Sequence, residues 1–183
     1  MGANEWPPKE FEGRPVIEIP SFDEVKTDRF AFAKATRLIH THTNPFNAHA
    51  LLQYHDRRAV VANPPAFPLS EHEMDEIYGL PYMRKPHPSY QEKIPAYEMI
   101  KDSVTILRGC FGGCTFCSIA THQGNIVQSR SRASILSEIR KMGSSPRFSG
   151  VVSDIGGPTA NMYKMRCKVF EVEAKCRRAS CVY

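Results

Sequence analysis

Cys110, Cys114 and Cys117 are the residues of this 183-residue chain whose type and spacing could do chemistry. They stand in Cys110-Phe111-Gly112-Gly113-Cys114-Thr115-Phe116-Cys117, a C-x3-C-x2-C run with two glycines inside it and an aromatic before its last cysteine. Thiols this close in sequence form a metal-ligand set, and three are one short of closing a tetrahedral zinc site or an ordinary four-cysteine iron-sulfur cluster. A cubane held by three cysteines leaves one iron open, and an open iron can chelate a small molecule and pass it an electron. The rival donor set is Cys3His zinc, with His122 five residues beyond Cys117 as the fourth ligand.

Composition bounds what surrounds that loop. The length suits one medium domain or part of a larger protein. No charged-then-apolar leader opens the chain and no apolar run approaches a membrane span, so a cytoplasmic place is expected. In a reducing compartment six cysteines favour metal binding or catalysis over bridges; their even count keeps a secreted, disulfide-linked alternative, which their uneven clustering opposes. Residues 1–100 carry 11 Lys and Arg against 14 Asp and Glu, whereas residues 101–183 carry 13 against 5. The basic half is the cysteine half. It could attract nucleic acid or an anionic cofactor, or be a solvated basic face; no aromatic-interleaved RNA-binding signature accompanies it.

The elements that must position the loop can be read locally. Ser21 with Glu24 forms a capping pair, which predicts a helix from about Phe22 to His42, ended by Asn44-Pro45. His40 and His42 then fall near a helix end, as exposed or helix-dipole residues rather than ligands. Residues 58–63 read as a short buried strand stopped by Pro64-Pro65, and Ser70 with Glu73 predicts a second helix over Glu71 to Tyr78. Seven of the 14 prolines lie between residues 64 and 95, which reads as an ordered connector. From Ser103 the pattern becomes strand (Val104 to Leu107), cysteine loop (Arg108 to Gln128), helix (Arg132 to Met142, with Gly143 at a left-handed cap) and strand (Phe148 to Ile155), halted by Gly156-Gly157-Pro158. Such a βαβ unit belongs to an open parallel sheet or a (β/α) barrel, where sites gather beyond the C-terminal strand ends. Both the cysteine loop and the Gly156-Gly157 turn leave such ends, so one pocket is expected to receive both. Cys167, Cys176 and Cys181, spaced nine and five residues apart, match no tight ligand loop and read as ordinary thiols, with an auxiliary metal site as the alternative.

Beyond these local readings, the cysteine loop with Phe116 resembles the signature loop of radical SAM enzymes, and Gly156-Gly157-Pro158-Thr159 resembles their "GGE" element. Asn63-Pro64-Pro65, Leu80-Pro81-Tyr82, Pro86-His87-Pro88-Ser89-Tyr90, Ile94-Pro95-Ala96-Tyr97-Glu98-Met99-Ile100 and the loop Arg108 to Ser118 are similar to the YgiQ-type radical SAM proteins, over about residues 20–183. The resemblance implies a 4Fe-4S cluster on Cys110, Cys114 and Cys117, with S-adenosylmethionine on the open iron and reductively cleaved there. It implies that Phe116 lies near the adenine, that backbone at Gly156 and Gly157 meets the methionine ammonium, and that Pro158 stands where the family element has glutamate. It further implies an unknown substrate, an electron donor such as flavodoxin or ferredoxin, and no membrane. The expected fold class is α/β. Residues 1–100 are a mostly helical or irregular partial N-terminal domain with its Pro-rich connector, and residues 101–183 are the beginning of a partial (β/α) radical SAM barrel. With two barrel strands countable before Tyr183, an incomplete enzyme fragment is expected. Two other readings stay open: a noncatalytic iron-sulfur or zinc module, and a metal-stabilised nucleic-acid-binding domain.

Overall fold

The computed structural model describes residues 6–158 and 160–182. In chain order its elements begin with β1 (Glu10–Phe11), β2 (Arg14–Pro15), β3 (Ile17–Glu18), α1 (Phe22–Thr27), α2 (Arg29–Thr41), β4 (Leu51–His55) and β5 (Arg58–Ala62). Then come α3 (Glu71–Gly79), α4 (Pro95–Ile100), β6 (Ser103–Thr105), β7 (Leu107–Arg108) and α5 (Ile119–Gln123). The last are β8 (Gln128–Ser129), α6 (Arg132–Gly143), β9 (Asp154–Gly156) and α7 (Phe170–Lys175). They condense into two units with interleaved segments: Met1–Pro68, Phe111–Ile126 and Arg166–Tyr183 in the first, Leu69–Cys110 and Val127–Met165 in the second.

In the first unit the capping pair works as its spacing requires. Ser21 Oγ accepts from the Glu24 amide and the Glu24 carboxylate accepts from the Ser21 amide, satisfying two orphan donors at the start of α1. The expected single helix to His42 is two, because Asp28 is extended (φ −118°, ψ 116°) and its side chain accepts from Phe30 N–H to cap α2. Aspartate competes for amides better than it propagates a helix, so it breaks the periodic run. The strand over 58–63 is β5, but its residues alternate between exposed and half-buried rather than being buried. It is the outer partner of β4 in a five-residue antiparallel register from Leu51–Ala62 to His55–Arg58, while β3 joins β4 in parallel on the other side. Asp56, at φ +53°, makes the two-residue hairpin link. Outside this small mixed sheet and the β1–β2 pair, the described residues up to 100 are helical or irregular, as expected. Ile19, Ala48, Ala50 and, within β4, Leu52 are buried, and the ring of Phe22 stacks on His55 at 4.9 Å.

His42 also departs from expectation. Only 8% exposed, it accepts the His49 amide at Nδ1, which holds only while that nitrogen carries no proton. Burial, then the neighbouring His49 and Arg177, pulls its pKa below the ordinary histidine value. The unfolded chain therefore binds this proton more readily, and the contribution is present above about pH 6.5 and lost as pH falls through the depressed native value.

In the second unit Ser70 and Glu73 repeat the capping box at α3. β6 pairs with β9 in parallel, Val104 facing Ile155, and α6 lies between them in sequence, the βαβ arrangement expected. Two features shorten its strands. Ile106 leaves the ladder, donating to Gly156 O at 2.8 Å while its carbonyl accepts from Arg130 N–H at 3.0 Å, so β7 turns to an antiparallel partner, β8. Residues 148–153, expected as strand, are irregular, with a bend at Gly150 and Val151. There Ser149 Oγ donates to Asp102 at 2.7 Å and Gly150 sits at φ +87°, a conformation no strand uses. Gly143 is the last residue of α6 rather than a left-handed cap; Ser144, at φ −82°, closes the helix. Among the described residues each sheet has two or three strands and none closes into a barrel.

Arg130 anchors this unit. It is 1% exposed, donates to Thr105 O at 2.8 Å and to Ser134 Oγ, pairs with Glu138, and lies over the Tyr78 ring at 4.4 Å. Glu138 also pairs with Arg84.

Two outcomes follow from these contacts. Glu138→Ala leaves a buried guanidinium uncompensated and should cost about 3–5 kcal/mol in denaturant unfolding, whereas Glu76→Ala, on an exposed carboxylate, should cost well under 1. Melting temperature should fall between pH 7.5 and pH 5.5, and His42→Asn, which keeps an acceptor but does not titrate, should flatten that fall.

Candidate functional site

The cysteine loop begins where β7 ends. Cys110, 6% exposed, belongs to the second unit; Cys114, exposed, and Cys117, half-buried, belong to the first. Within the first unit Cys117 N–H donates to Cys114 O at 3.0 Å, a tight turn that leads into α5. Gly113 takes φ +65°, and Gly124, at φ +87°, ends α5. Phe116 is 91% exposed, the most open large apolar side chain of the chain's described residues. His122, the alternative zinc ligand, lies in the last turn of α5.

No disulfide joins any of the six cysteines. Among the described residues no three His, Cys, Asp or Glu side chains are grouped so as to hold a metal ion. In donor chemistry the loop still suits an iron-sulfur group: its three thiols are not consumed by bridges, and only Phe, Gly and Thr separate them.

The glycine pair has a packing reason of its own. Gly156 closes β9 and its carbonyl accepts from Ile106. A β-carbon on Gly157 would stand 2.5 Å from Leu107 Cδ1, and Leu107 is only 1% exposed. Glycine is thus required for strand packing whether or not a ligand approaches. Pro158 follows, and Thr159 lies outside the described residues.

The C-terminal cysteines fall in a segment that sequence reasoning left without a role. Asn44 Nδ2 donates to the carbonyls of Glu173 and Cys176, at 2.7 and 2.9 Å, and Asn47 Nδ2 to those of Ala174 and Cys176, both at 3.0 Å. Beyond them Cys181 N–H donates to Phe111 O and Ser180 Oγ to Gly112 O. Burial pushes the Cys181 thiol up, and neighbouring Cys176 and Cys167 add to the shift, so these three thiols share one electrostatic neighbourhood. Spacing alone could not reveal the hydrogen bonds that anchor this segment, because they span more than 60 residues.

The second unit holds an open cavity of about 1060 Å³ lined by residues of α3, α4 and α6, among them Tyr78 and Tyr97, and by Tyr82 and Phe148 on the chain between elements. No cysteine lines it.

A family model described as Radical SAM N-terminal matches residues 5–103. The chain belongs to this family. Curated relatives extend the similarity of this radical SAM N-terminal chain across the cysteine loop. It is 56% identical over 177 residues to the UPF0313 protein RPA0679 of Rhodopseudomonas palustris, which covers 96% of this chain and 26% of the relative. It is 56% identical over 178 residues to the UPF0313 protein YgiQ of Escherichia coli K12, covering 96% of this chain and 24% of that one. The chain thus spans about a quarter of the length of these relatives. No solved structure matches it. No helix of the described residues is long and apolar enough to cross a membrane.

Gly157→Ala should lower stability by about 1–3 kcal/mol through overpacking against Leu107, measured by denaturant unfolding. Gly79→Ala, with open space at its β-carbon, is the matched control and should be within about 0.5 kcal/mol of wild type.

Proposed function

We propose that this chain carries the cluster-binding part of a radical SAM protein, in which S-adenosylmethionine is reductively cleaved at a three-cysteine 4Fe-4S cluster. One observation carries the reading: a C-x3-C-x2-C loop leaves the strand segment that follows β6, itself parallel to β9, in a chain of the Radical SAM N-terminal family. Cys110, Cys114 and Cys117 would hold the cluster. When bound, it supplies one electron to the sulfonium of S-adenosylmethionine, chelated at the iron that no thiolate takes.

The chain's own residues then bind and orient. Phe116, exposed beside Cys117, offers an aromatic face for the adenine. Gly156 and Gly157, without side chains, allow backbone to approach the methionine part; Pro158 brings no carboxylate there, so an ammonium contact would fall to main-chain carbonyls. The 13 basic against 5 acidic residues beyond residue 100 favour an anionic partner, and an acidic one-electron donor of flavodoxin or ferredoxin type suits that charge. Thiolate ligation also needs a reducing compartment, which supports a cytoplasmic place.

Anaerobic reconstitution with iron and sulfide tests the reading. A brown chromophore that disappears in Cys110→Ala, Cys114→Ala and Cys117→Ala is expected, followed by 5′-deoxyadenosine on addition of S-adenosylmethionine and dithionite. A colourless chain with stoichiometric zinc overturns it in favour of a zinc module. A three-cysteine chromophore without 5′-deoxyadenosine leaves a noncatalytic iron-sulfur module.

A further inference from the structure

The carbonyls of Phe111 and Gly112, the two residues that follow the first cysteine, are both held from one place in the first unit. Cys181 N–H donates to Phe111 O at 3.0 Å, and Ser180 Oγ donates to Gly112 O at 2.8 Å. Ser180 Oγ also accepts from Val182 N–H at 3.0 Å, so the hydroxyl's single proton is left for Gly112. The segment lies so close that a β-carbon on Gly113 would stand 2.5 Å from Ala179 O and from Ser180 Cβ. With φ at +65°, Gly113 is excluded from other residue types twice, by conformation and by space.

The clamp has a fixed base. Asn44 is 3% exposed, and with Asn47 it grips carbonyls at residues 173, 174 and 176. Arg177 donates to Asn47 O at 3.2 Å. Four residues past Cys176 the chain reaches Gly112 already anchored, which limits what the loop must lose in entropy to stay in one conformation.

We propose that Ser180 is a positioning residue for the cluster loop: with the Cys181 amide it fixes the Phe111 and Gly112 carbonyls and so orders the backbone between the first two cysteines before metal arrives. The role rests on the function proposed above. It concerns the order of the loop rather than the reaction, and it gives the C-terminal segment a task that its thiols need not perform. A loop ordered by the protein retains its metal better than one that the metal must order, because escape of the first thiolate no longer frees the backbone around it.

Amide hydrogen exchange on the full metal-free chain reads the clamp directly. Ser180→Ala should speed exchange at Cys181 N–H by about five- to tenfold, the loss of one hydrogen bond's worth of protection. Gly113→Ala should do so by more, while Ile106 N–H, bonded to Gly156 in the second unit, keeps its wild-type rate as proof that both variants fold. On the reconstituted chain, Ser180→Ala should load cluster to the wild-type extent but release iron to a chelator several-fold faster. Unchanged exchange at Cys181, or wild-type iron release, in a chain that does load overturns the positioning role alone. A wild-type chain that takes up no cluster overturns the proposed function and the positioning role with it.

Discussion

A guanidinium almost without solvent is the contact on which the second unit depends. Arg130 stands between β8 and α6, and its groups reach the Thr105 carbonyl, the Ser134 hydroxyl, the Glu138 carboxylate and the Tyr78 ring. Its own carbonyl accepts from Tyr163 Oη at 2.9 Å and its amide donates to Ile106. Burying a charge is costly, and the cost is met only when every donor is placed. That requirement fixes α6 and α3 against the strand segment from which the cysteine loop departs. The strands here are too short to be held by ladder hydrogen bonds alone, so a side-chain hub substitutes for ladder length.

Features with a local cause were legible in the sequence. Both capping boxes appear where Ser21 with Glu24 and Ser70 with Glu73 announced them, because the motif is satisfied within four residues. The parallel βαβ arrangement was legible from α6 and the apolar runs around it. What escaped depends on competition or distance. Asp28 lies in a run whose apolar spacing is helical, yet its carboxylate prefers to cap. β4 contains Gln53, Tyr54 and His55, side chains that carry no clean alternation, and it became visible only through its pairing with β5. α4 begins at Pro95 with no side-chain cap, at the last proline of a stretch read as a connector.

The site divides the same way. Cys110, Cys114 and Cys117 are conspicuous because ligand loops are compact in sequence. Gly156 and Gly157 were read as an approach for a ligand, and Leu107 beneath Gly157 adds a packing demand of its own there; Ala179 makes the same demand at Gly113, which had no reading. His42 looked like a surface residue at a helix end and is a buried acceptor, a fact that depends on His49 returning seven residues later. Ser180 had no motif at all; its meaning comes from a carbonyl 68 residues away.

The grip of Asn44 and Asn47 on the C-terminal segment is made wholly to main-chain carbonyls. Every amino acid carries that acceptor, so over residues 173–176 the grip makes no reference to the side chains. Evolution can therefore rewrite residues 173–176, exchanging thiols, charges or apolar groups to suit a new neighbour, and leave the course of the chain toward the metal loop unaltered. The asparagines, by contrast, concentrate that grip on residues 173–176 in two side chains and have little room to drift.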